Sequence, residues 1–96
     1  MSVEFMQRAF EISASDKRLT PADKLVLLRW AWKTIDGASP YEIKFRTVAR
    51  QLGLSRNAVR ASVGRLVAAG YLSSVAVKVV AGPAFQASER GQSVTP

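Results

Sequence analysis

Apolar residues recur at helical spacing in four stretches of the chain and alternate in a fifth. Between Val3 and Ile12, Phe5, Ala9 and Ile12 share one face with Met6 and Phe10 beside them, which predicts a short amphipathic helix. A polar link, SASDKR, follows. In LTPADKLVLLRWAWKTIDG, Thr20 suits an N-cap, Pro21 the first helical position and Asp23 the far side of a capping box, with Gly37 as the stop. Leu25, Val26, Leu27, Leu28, Trp30, Ala31, Trp32 and Ile35 run most of the way round this helix, so it should be buried on more than one side. It reads first as the central helix of the core, and part of it, Trp30 or Trp32 together with Phe5 and Phe10 of the first helix, can at the same time form a dimer face.

After GASPYE, read as a turn, FRTVARQL sets Val48, Ala49 and Leu52 against Arg46, Arg50 and Gln51, giving two turns of helix from Phe45 to Leu52. Gly53 suits a left-handed cap, Leu54 an apolar plug, and Ser55 the N-cap of a second helix, Arg56 to Ala69, which Gly70 ends. Two short helices joined by a tight glycine-containing turn make a helix-turn-helix. Downstream, Val75, Val77 and Val79 alternate before Gly82-Pro83 and the short run Ala84 to Gln86, which predicts a two-stranded ribbon turning near Gly82. SERGQSVTP has the composition of a disordered tail, so a domain over 1–87 with a tail over 88–96 is expected. The fold class is mainly α with a small β-ribbon.

Composition narrows the chemistry. Ninety-six residues allow one small domain. The chain has no cysteine and no histidine, which removes thiolate and imidazole metal sites and the usual nucleophile and general base. The seven carboxylates are scattered, and no glycine-rich phosphate loop is present. An enzyme is not expected, and neither a metal nor a cofactor. No apolar run is long enough to span a bilayer, and MSVEFMQRAFEIS does not read as a signal peptide, so a cytoplasmic location is the expectation.

The distribution of charge says more than its sum. Residues 1–43 hold six Lys/Arg and six Asp/Glu, whereas residues 44–96 hold eight and one. All of the net +7 lies in the second half. From Lys44 to Ser88 seven basic residues, Lys44, Arg46, Arg50, Arg56, Arg60, Arg65 and Lys78, meet no acid in the sequence. A one-sided patch of this kind suits a polyanion.

On a helical wheel at about 100° per residue, Val59, Ser62, Val63, Leu66 and Ala69 cluster on one side of the second short helix. Asn57, Arg60, Ala61, Gly64 and Ala68 form the other, with Arg56 and Arg65 on its flanks. That face is small, flat and basic. An interior glycine costs about 1 kcal/mol relative to alanine, and close approach of a phosphate backbone or base edge is a reason to keep Gly64. Arginine pairs with guanine and asparagine with adenine in the major groove, so Arg56, Asn57 and Arg60 suit base reading, while Ser55, Arg46, Thr47 and Arg50 suit phosphates.

FRTVARQLGLSRNAVRASVGRLVAAGYL, with its VARQLGLS turn, Val59 and Leu66 as core positions and the AAGYL exit, resembles the core of winged helix-turn-helix DNA-binding proteins. With LTPADKLVLLRWA before it, the chain from about residue 19 to 82 is similar to the winged-helix domain of phage and plasmid replication initiators and small transcriptional regulators. The resemblance implies a winged helix-turn-helix with an extra N-terminal helix. It implies base contacts from Ser55, Arg56, Asn57, Arg60, Ala61 and Gly64, and Lys78 in the wing; Arg65 and Lys78 join Arg46, Thr47, Arg50 and Ser55 as phosphate candidates. Two positions depart from the pattern. Ser62 stands where an aliphatic core residue is common, which suggests looser packing or a hydroxyl bonded back to the helix, and the wing carries only Lys78 among apolar residues.

The expected function is sequence-specific binding of double-stranded DNA by a small transcriptional regulator, a repressor acting as a homodimer on an inverted repeat. A chain of this length leaves no room for a ligand-sensing domain. A replication or maintenance protein and a winged-helix protein-interaction module are the alternatives. Single-stranded nucleic acid is a poorer fit, since the basic region offers only Phe45, Tyr71 and Phe85 for stacking.

Overall fold

A computed structural model describes residues 3–34, 41–75 and 78–85. The chain runs α1 (Val3–Ser15), α2 (Pro21–Lys33), β1 (Tyr41–Glu42), α3 (Phe45–Leu52), α4 (Arg56–Ala68), β2 (Leu72–Val75) and β3 (Lys78–Ala81). It is mainly helical with a small antiparallel sheet, as expected. Among the described residues, no helix is long and apolar enough to cross a membrane.

Local sequence sets the helix ends. Thr20 accepts from the Asp23 backbone N–H at 3.1 Å, and the Asp23 carboxylate accepts from the Thr20 N–H at 3.2 Å, closing the capping box in front of Pro21. α2 stops at Lys33, where Thr34 turns extended; Ile35 and the expected stop at Gly37 lie outside the described residues. α3 ends on Gly53 at φ 70°, and Leu54 donates back to the Ala49 carbonyl at 2.9 Å while packing on the core. The Ser55 hydroxyl then accepts from the Ala58 N–H at 3.0 Å to open α4.

α2 is the hub. It packs against α1, α3 and α4, with Val26, Leu27, Trp30 and Ala31 buried in a core shared with Ala9, Ile12, Val59 and Leu66. Trp30 is 1% exposed, which removes it from the dimer face proposed on sequence grounds. Its ring meets Phe85 edge-on at 5.1 Å, and Phe5 completes the cluster at 5.9 Å from Phe85. Phe5 is therefore also a core contact. The Arg8 guanidinium, though basic, is buried over Phe5 and Phe85 at 5.1 and 5.0 Å. Only Phe10 and Trp32 of the four candidates are exposed.

The sheet differs most from the sequence reading. Its order is β1-β3-β2, both pairs antiparallel, with Tyr41 opposite Val79 and Leu72 opposite Ala81. β1 lies in the stretch read as a turn. Two residues carry no periodicity of their own, and only pairing with β3 makes them a strand. The ribbon is also shifted: Val75 pairs with Lys78, so the chain reverses before Lys78 rather than near Gly82, and Val75 and Val79 lie on different strands; Val77 lies outside the described residues. Val79 and Ala81 face the core. Ala84 and Phe85 belong to a helical turn after Pro83, not to a second strand; Gln86 and the expected tail at 88–96 lie outside the described residues.

Gly82 stands where the chain after β3 passes against the turn from α4 into β2. Gly70, at φ 86°, ends α4 with its N–H on the Val67 carbonyl and the Tyr71 N–H on the Leu66 carbonyl, each at 3.0 Å. The Gly82 N–H then bonds the Tyr71 carbonyl at 2.9 Å and the Ala84 N–H the Gly70 carbonyl at 2.8 Å. A Cβ on Gly82 would collide with the Gly70 carbonyl oxygen, so the two backbones meet only without a side chain. Gly64 is the opposite case, with nothing within 4 Å of a Cβ built there. Gly82→Ala should therefore cost roughly 1–3 kcal/mol, whereas Gly64→Ala should stabilise by about 1 kcal/mol; urea unfolding of both variants checks the pair.

Candidate nucleic-acid interface

α4 divides by face because its apolar positions fall on one side of a 3.6-residue repeat. Val59, Ser62 and Leu66 are buried, Val63 and Val67 are half-buried, and Arg56, Asn57, Arg60, Ala61 and Gly64 are all exposed. Asn57, Arg60, Ala61, Gly64 and Ala68 line up along the outer surface, the last four lying three, four, seven and eleven residues beyond Asn57. Toward the C-terminal end of that line, Ala61, Gly64 and Ala68 leave a smooth strip; toward the N-terminus stand Arg56, Asn57 and Arg60. The Arg60 guanidinium lies 5.6 Å over the Phe45 ring at the start of α3, which restrains a long side chain that would otherwise be free. Phe45 is half-buried, packed on the core from the other side.

Arg46 and Arg50 are exposed, four residues apart on one face of α3. Thr47 is exposed but sits about 100° from Arg46 round the helix, in a groove between α2 and α3 with Arg29, Trp32 and Lys33. Ser55 is exposed at the start of α4, although its hydroxyl is engaged by the Ala58 N–H. Lys78 is exposed at the first position of β3.

Arg65 is the correction. Counted with the free basic residues on sequence grounds, it is tied to the buried Asp23 while its own side chain stays half-exposed, with Nε donating to both Asp23 carboxylate oxygens at 3.0 Å and Nη2 2.9 Å from Oδ1. Nη2 also donates to the buried Ser62 hydroxyl at 3.3 Å. So Ser62 is neither loosely packed nor bonded back to its helix: its hydroxyl is part of a polar junction between α2 and α4. Burial of Asp23 opposes its ionisation, but Arg65, Ser62 and the two Thr20 contacts outweigh it and hold the carboxyl below the usual range. The same contact raises the Arg65 pKa. The apparently unopposed basic segment thus has a carboxylate partner 42 residues away.

A second polar junction ties the exit of α4 to the α1–α2 link. Tyr71 donates its hydroxyl to Asp16 at 2.6 Å, and Arg18 forks onto the same carboxylate at 3.0 and 2.7 Å. The bonds from Arg18 and Tyr71 hold Asp16 well below the ordinary carboxylate range, while burial and the Asp16 contact raise the Tyr71 phenol. Tyr71 and Phe85, considered as stacking platforms from sequence, are thereby used internally. Sequence gave no signal for either junction, since nothing local joins Asp23 to Arg65 or Asp16 to Tyr71.

Compared with family models, with curated proteins and with solved structures, the chain shows no match.

Because the Asp23 pKa is depressed in the folded state, the stability it contributes is complete above its unfolded value near 4 and is lost as pH falls through the lower folded value. Acid unfolding of the native chain should show this loss, and Asp23→Asn should remove it. Arg65→Met strands the buried carboxylate and should destabilise by about 2–3 kcal/mol at neutral pH, less than for a fully buried pair because Arg65 is half-exposed; chemical unfolding measures the difference.

Proposed function

We propose that the chain binds double-stranded DNA sequence-specifically, with α3 and α4 as a helix-turn-helix, α4 in the major groove, and β2–β3 as the wing of a winged helix-turn-helix. The observation that carries this reading is the outer line of α4: Asn57, Arg60, Ala61 and Gly64 exposed, flat and free of carboxylates. A groove-filling helix needs donors near its N-terminus and small residues where the backbone must come close, and this face offers both in that order. Arg56, Asn57 and Arg60 are assigned to base edges. Arg60, restrained on Phe45, loses less side-chain freedom on contact than an unrestrained arginine.

Arg46 and Arg50 are assigned to phosphates beside the groove, and Lys78 to the flank reached by the sheet. Ser55 and Thr47 remain weaker phosphate candidates, the first for its capping bond and the second for its position on the groove side of α3. Arg65 is left out, since a carboxylate already holds it. A regulator that works by occupying its operator, as a homodimer on an inverted repeat, is the role proposed.

Three substitutions test the assignment by shift assay or fluorescence anisotropy on duplexes selected from random DNA. Gly64→Glu should leave thermal unfolding close to native, because the site is open, yet weaken DNA binding about a hundredfold or more through bulk and like charge in the groove. Arg60→Ala should cost about 1–3 kcal/mol on the preferred sequence and relax discrimination at one base pair. Arg50→Ala should weaken specific and random duplexes alike and reduce the salt slope by about one. Selection that enriches no sequence would overturn the sequence-specific reading.

A further inference from the structure

The groove between α2 and α3 is a separate feature. It has a volume of about 400 Å³, in the range of small-ligand sites. Arg29, Trp32 and Lys33 line it from α2, and Ile43, Lys44 and Val48 from α3 and its approach. Trp32 is 43% exposed and lines the groove, so part of its indole is open to a ligand. Two cations already attend its ring, the Arg29 guanidinium at 5.4 Å and the Lys33 ammonium at 5.7 Å. Arg29 does not swing freely: its Nε donates to Gln51 Oε1 on α3 at 2.6 Å, which fixes the guanidinium across the two helices and leaves its terminal N–H groups for a ligand. The described lining residues carry three cations and no carboxylate.

We propose that this groove binds a small planar anion, an aromatic carboxylate, independently of DNA. The ring lies against the Trp32 indole and the Ile43 and Val48 side chains, and the carboxylate takes hydrogen bonds from Arg29 and charge from Lys33 and Lys44. A carboxylate matches a guanidinium whose remaining donors lie in one plane. A flat apolar body matches an exposed indole with an aliphatic wall. Duplex DNA matches less well, because its phosphates have no apolar part for that wall, and because the groove side of α3, Thr47 and Gln51, lies about a third of a turn from the Arg46–Arg50 face.

The test is titration of the ¹⁵N-labelled full chain with 2-naphthoate, followed by NMR of backbone amides and indole N–H groups. Saturable shifts are expected at the Trp32 indole and at residues 29–33 and 43–51, with a Kd of about 1 mM or tighter. 2-Naphthamide, which keeps the ring without the charge, and acetate, which keeps the charge without the ring, should each bind at least about tenfold more weakly. Trp32→Leu should weaken naphthoate about tenfold, as should the surface double variant Lys33→Gln/Lys44→Gln. Shifts that do not saturate, equal binding of the amide, or larger shifts at the α4 arginines would overturn the proposal. So would displacement of naphthoate by a duplex, which would assign the groove to the DNA-facing surface.

Discussion

Asp23 is the residue on which the arrangement of the helices depends. A buried carboxylate is costly unless its lone pairs are used, and here Oδ2 accepts from the Thr20 N–H to close the N-terminus of α2 while both oxygens receive the guanidinium of Arg65 from α4. The angular freedom of α4 about its own axis is thereby limited. With Ser62 buried and Arg65 tied to Asp23 from the flank, Asn57, Arg60 and Gly64 face outward, since they lie on the side of the helix away from Ser62. The junction that secures the fold also aims the exposed face.

Hydrophobic packing completes what that junction begins. Trp30, Phe5 and Phe85 come from α2, from α1 and from the end of the described chain, and their contact draws three distant segments into one core. Phe85 reaches it only because the backbone after β3 passes against Gly70, where Gly82 has no side chain to obstruct it. The Tyr71–Asp16 bond fixes the same corner from the outside. The sheet is therefore held to the helices by Leu72, Val79 and Ala81 in the core together with the glycine contact, the aromatic cluster and the Tyr71 hydroxyl.

Eleven of the fourteen basic residues fall into three groups once their neighbours are known. Arg65, Arg18 and Arg8 are used within the molecule, by Asp23, by Asp16 and by an aromatic cluster. Arg46, Arg50, Arg56, Arg60 and Lys78 are exposed around α3, α4 and the sheet. Arg29, Lys33 and Lys44 gather at the groove on the far flank of α3. Two basic surfaces of different character follow from this division, one flat and open, the other a groove with an indole wall.

What the sequence determined by itself is local. The capping box at Thr20, the left-handed turn at Gly53, the Ser55 cap and the glycine end of α4 depend on a few adjacent residues, and they were legible together with the inner and outer faces of α4. Tertiary structure decided what pairs across distance. A two-residue strand at Tyr41–Glu42 exists only through β3, the hairpin's register is set by its partners, and Phe85 is core only because Trp30 waits for it. Charge shows the limit best: a run of basic residues reads as unopposed along the chain, but electrostatics acts through space, and Asp23 lies next to Arg65 only after α2 and α4 have packed.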